Sequence, residues 1–106
     1  MDAFAAIAWF APWQPVSALG LVAELHKEVA PDHPLYQVEA VAIGQRCDCD
    51  DVLFFLPHRM PPLAVVHLMW RSKAEQTGWP TTTFYMSLDD WVMRCMQADH
   101  REYCGE

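Results

Sequence analysis

Two apolar runs separated by a proline corner dominate the pattern of this chain. Val52 to Leu56 and Leu63 to Trp70 are short, rich in β-branched and aromatic residues, and bounded by turn formers. Strands buried on at least one face read this way. The corner between them, Pro57-His58-Arg59-Met60-Pro61-Pro62, holds three prolines, so neither strand continues through it. The two runs predict a central antiparallel pair.

The flanking elements follow from periodicity. Ala18, Leu21, Val22, Leu25 and Val29 recur at i, i+3, i+4, i+7 and i+11, predicting a helix from a Ser17 cap to about Val29. Glu24, His26, Lys27 and Glu28 are assigned to its wet face, and Pro31 and Pro34 end it. Tyr36 to Gln45 reads as a strand, 71–80 as a polar loop, and Thr81 to Met86 as a short strand. Ser87 caps a last helix, with Asp89 and Asp90 at the positive end of its dipole. Leu88, Trp91, Val92, Cys95 and Met96 form its apolar stripe. Residues 1–15 are an aromatic lead-in, either an edge strand or a segment pinned by Trp9, Phe10 and Trp13. The order αββββα predicts an α+β single domain over 1–106, one antiparallel sheet of about four strands with two helices on one face.

Composition sharpens this picture. With 53% apolar residues, five Trp, five Phe and three Tyr in 106 residues, the chain holds enough hydrophobic mass for a modest core. The net charge of −7 disfavours direct contact with nucleic acid or an anionic membrane, both of which select a positive surface. It suits plain solubility, and equally a partner with a basic surface. The apolar N-terminus has no basic flank and stops at Pro12, so it resembles neither a signal peptide nor a span. A cytoplasmic location with four reduced cysteines is the expectation.

Candidate chemistry concentrates in the turn Cys47-Asp48-Cys49-Asp50-Asp51. Zinc held by Cys47, Cys49, Cys95 and Cys104 is disfavoured, because C-x-C is not structural-zinc spacing and Cys95 belongs to a core stripe. Calcium lacks the required glycine and distal glutamate, and a Cys47–Cys49 disulfide is too short to relax. No metal and no cofactor are expected. His67 reads as a core-edge histidine by default, or as half of a His–Asp pair with Asp50 or Asp51 across the hairpin. Neither G-x-S-x-G, nor H-E-x-x-H, nor a glycine-rich phosphate loop is present to complete an enzyme. The tryptophans exceed what a core of this size needs to hide. Trp79, in the polar loop before Pro80, is either a lid on the sheet or part of a binding surface.

The pieces His33-Pro34-Leu35, Cys49 to Phe54, Ala64 to Trp70, Trp79-Pro80 and Ser87-Leu88-x-x-Trp91 through Asp99-His100 resemble a group of small bacterial proteins. That resemblance carries no activity and no residue role, and the proline corner and aromatic N-terminus depart from it. The functional expectation is a small non-catalytic protein-binding module, an inhibitor of the immunity or anti-defence kind. Asp48, Asp50, Asp51, Glu75 and Trp79 would meet the basic partner. The alternative is a small hydrolase-like enzyme using His67 with Asp50 or Asp51.

Overall fold

Strand alternation decides what each side of the sheet hides. A computed structural model describes residues 7–16, 20–70 and 80–105. It comprises β1 (Trp13–Pro15), α1 (Leu21–Glu28), β2 (Val41–Arg46), β3 (Asp51–Phe55), β4 (Leu63–His67) and β5 (Thr82–Tyr85). These are followed by α2 (Leu88–Trp91), a π-helical turn (Val92–Met96) and α3 (Gln97–Tyr103). The five strands form one antiparallel sheet in chain order, so the fold is α+β. The fifth strand is β1, the edge-strand option for the aromatic lead-in, which pairs Trp13 with Arg46 and Pro15 with Gly44.

Along β3 and β4, Val52, Phe54, Ala64 and Val66 point to one side and join Leu21, Leu25 and Val29 of α1 and its exit in one core. Leu53 and Leu63 point to the other side and join Trp13, Tyr85, Trp91, Cys95 and Met96. The helices therefore cover opposite faces, not one. The reason lies in β3 and β4, which are apolar at successive positions and so leave two faces to be buried.

The second face is aromatic. Trp91 is fully buried between Trp13, whose ring stands edge-on at 5.1 Å, and Trp9 at 6.0 Å. Trp9 lies so close over Gly44 that a Cβ there would meet its ring at 2.5 Å, so a side chain at this position would displace the indole. These three tryptophans are thus core material, and the expected surplus shrinks accordingly.

Boundaries moved where backbone groups found other partners. The strand expected over Tyr36 to Gln45 is a turn as far as Gln37, whose φ is 57°, and pairing begins only at Val41. A bulge between Ala42 and Gly44 interrupts its register with β3. The run ending at Trp70 leaves the sheet at His67, because the next residues bond elsewhere, as described below. The last helix begins as predicted, the Asp90 amide donating to Ser87 Oγ at 3.1 Å. The Ser17 cap falls outside the described residues.

The largest departure is in α1. Glu24 and Glu28, assigned to its wet face, are 4% and 0% exposed. Leu21, Glu24, Leu25 and Glu28 themselves fall at i, i+3, i+4 and i+7, so both acids lie on the stripe that turns inward.

Candidate functional site

Three acids of the β2–β3 turn meet three different fates. Arg46 Nε and Nη2 donate to the two Asp48 oxygens, each at 2.8 Å, a bidentate fork that holds the Asp48 carboxyl below its usual range. Asp51 opens β3 directly opposite His67, and its Oδ1 lies 2.7 Å from His67 Nδ1. Asp50 is exposed, and its backbone carbonyl accepts from Leu68. Of the two carboxylates considered for a His–Asp pair, Asp51 is in contact. The antiparallel register puts it there, since facing residues in adjacent strands share a side.

Arg46 also reaches the opposite helix. Its Nη1 lies 3.3 Å from Asp99 Oδ2, an oxygen that further accepts from Trp13 Nε1 at 2.8 Å and Cys95 Sγ at 3.4 Å. This cluster ties β1, β2 and the C-terminal helix together. Its donors and acceptors are spent on one another, which suits a structural joint.

Cys47, Cys49 and Cys104 are exposed and Cys95 is buried. Among the described residues no group of three or more His, Cys, Asp or Glu side chains is placed to hold a metal. Burial raises the thiol pKa of Cys49 above its ordinary value, and that of Cys95 up to about 12, so neither is an activated nucleophile.

The feature that sequence reading missed is Trp70. It stands 46% exposed in the left-handed region, at φ 58°. A bulky residue adopts that backbone only where surrounding contacts impose it. The contacts come from the buried Glu28: its Oε1 accepts the Met69 amide at 2.8 Å and its Oε2 the Trp70 amide at 2.7 Å. Trp70 then walls a recess of about 230 Å³ with Leu21, Val52, Gln45, Arg46, Cys49, Asp50 and Asp51. The recess is smaller than the ~300 Å³ at which small-molecule sites begin. It is acidic on the turn side and aromatic on the other.

Glu75 and Trp79, expected to complete a binding surface, lie outside the described residues. No helix among the described residues is long and apolar enough to cross a membrane. In comparisons with known proteins, no family model, no curated protein and no solved structure matches the chain.

Proposed function

We propose that this chain is a small acidic protein-binding module that docks on and restrains a partner with a basic surface, in the manner of immunity or anti-defence proteins. The observation that carries the reading is Trp70. A half-exposed indole, fixed in a strained backbone by a buried carboxylate, borders a recess that also holds Asp50 and Asp51. Interfaces concentrate their energy in such rigid aromatic anchors, while nearby charge sets association rate and specificity. The net charge of −7 directs that surface towards a cationic partner. Asp48 is tied down by the Arg46 fork, so Asp50 and Asp51 carry the acidic contact, with Glu75 and Trp79 as further candidates.

The test is parallel affinity capture from the native host at low salt. The baits are the wild-type chain, Trp70→Ala, and the double reversal Asp50→Lys with Asp51→Lys. A stoichiometric partner held by the wild type, and bound more than about tenfold more weakly by each variant, supports the proposal. Equal capture by all three overturns it.

A second reading is favoured by the 2.7 Å contact between Asp51 and His67, the arrangement of an oriented general base. His67 is not among the residues bordering the Trp70 recess. Hydrolysis of simple esters by the wild type, lost in His67→Gln, would support this reading against the first.

A further inference from the structure

We propose that Glu28 is a proton-operated latch that sets the pose of Trp70. Its carboxylate is fully buried, and its two oxygens are each spent on one of two successive backbone amides. An ionised carboxylate accepts both bonds at once. Protonation converts one oxygen into a hydroxyl, which donates to Glu24 and is a much poorer acceptor than a carboxylate oxygen, so one of the two amide bonds is weakened. Because the Trp70 backbone is held left-handed by this grip, weakening a bond reduces what opposes the strain. The indole is then freer to leave its place on the recess.

The surroundings tune the latch to neutral pH. Glu24, 4% exposed on the preceding turn of α1, shares a hydrogen bond with Glu28. Burial, then the Glu24 carboxyl, push the Glu28 pKa up to about 7, against the opposing pull of the two amides. The segment packed across from Glu28 presents the Met69 and Trp70 backbone amides. Beyond Trp70 the recess brings Asp50, Asp51 and Arg46. His67, two residues before Met69, is held by Asp51, and β4 alternation places it on the opposite face from Val66. The proton taken up near neutrality sits in the Glu24–Glu28 hydrogen bond: with Glu28 ionised the latch is closed, and with Glu28 protonated it is loosened.

As control of partner binding, the latch rests on the reading of Trp70 as the anchor. As a property of the chain it does not. The experiment is an amide NMR titration of the full chain from pH 8 to pH 6, with no partner present. The Met69 and Trp70 amide resonances are expected to move with one midpoint near neutrality. One of those two amides should lose about tenfold in exchange protection on the acid side, the weakening of a hydrogen bond to a charged acceptor. Both resonances should stay flat in Glu28→Gln, and still titrate in His67→Gln. Flat wild-type resonances overturn the proposal, as does a titration that survives Glu28→Gln or vanishes in His67→Gln. If Glu28→Gln does not fold, Glu28→Asp replaces it. Its shorter carboxyl is expected to lose the Trp70 bond and shift the midpoint, and an unchanged titration would overturn the latch. A normal titration combined with equal capture by wild type and Trp70→Ala would leave the latch standing and remove the anchor.

Discussion

Each face of the sheet sets a carboxylate against its helix, fully buried under α1 and partly exposed at the C-terminal helix, and the two are satisfied in different ways. Beneath the C-terminal helix, Asp99 accepts from an indole and a thiol and has the Arg46 guanidinium at 3.3 Å. Under α1, Glu28 has amides for donors and a second acid for a neighbour. The Arg46 cation, shared with Asp48, offsets the partly buried Asp99 charge directly. Backbone dipoles compensate only part of the Glu28 charge, and the remainder appears as a raised pKa. The first arrangement makes a fixed joint. The second makes a group whose charge state is open at neutral pH. That difference separates a region built for rigidity from one suited to control.

The comparison can be broken at its most buried point first. Trp91→Ala removes the ring on which Trp9 and Trp13 converge and should cost about 3–5 kcal/mol, measured by urea unfolding. A loss well under about 1 kcal/mol would mean that the aromatic face is not a packed core.

Next comes the pH dependence of stability, where the two faces should part. The Glu28 pKa is raised from 4.5 in the unfolded chain to about 7 in the folded one. Between those values the folded state binds more protons than the unfolded, so this group's contribution is fully present below about 4.5 and is lost as pH rises to about 7. Stability should therefore fall across that window by an amount on the order of a few kcal/mol, and Glu28→Gln should flatten the slope. Loosening of the Trp70 amide and gain in global stability thus run together on acidification, since burying the charge costs more than its amide bonds return. A wild-type melting temperature that does not change across this range would remove the contrast.

A smaller effect tests the rigid face. Asp99→Ala strands the Trp13 indole N–H and part of the Arg46 charge, and should cost about 1–3 kcal/mol. The smallest concerns the helix cap. Ser87→Ala removes the acceptor of the Asp90 amide and should cost about 1 kcal/mol, read as a small shift of the urea midpoint.

Much of this architecture was legible in the sequence. The proline corner separates β3 from β4, the alternating strands form one antiparallel sheet, and the Leu88 to Met96 stripe with its Ser87 cap gives the last helix its phase. These features are local, set by backbone propensity and by spacings of a few residues. The antiparallel hairpin was legible too, and with it a pairing of His67 with Asp50 or Asp51 as one option, because pairing of neighbouring strands follows from a short connection; the choice of Asp51 came only with the register.

What only the tertiary structure decided is long-range. Leu53 and Phe54 are both fully buried, so the sheet takes a helix on each side, yet nothing local states which helix goes where. The i, i+3, i+4, i+7 spacing of Leu21, Glu24, Leu25 and Glu28 already put the acids on the inner stripe. Residue type argued the other way, since a lone buried carboxylate is too costly. The donors that offset that cost are the amides of Met69 and Trp70, about forty positions along the chain and carried by no side-chain signature. Trp70 looked like the end of an apolar strand for the same reason. Its strain and its exposure are imposed by a carboxylate that only the packing of α1 against the sheet brings within reach.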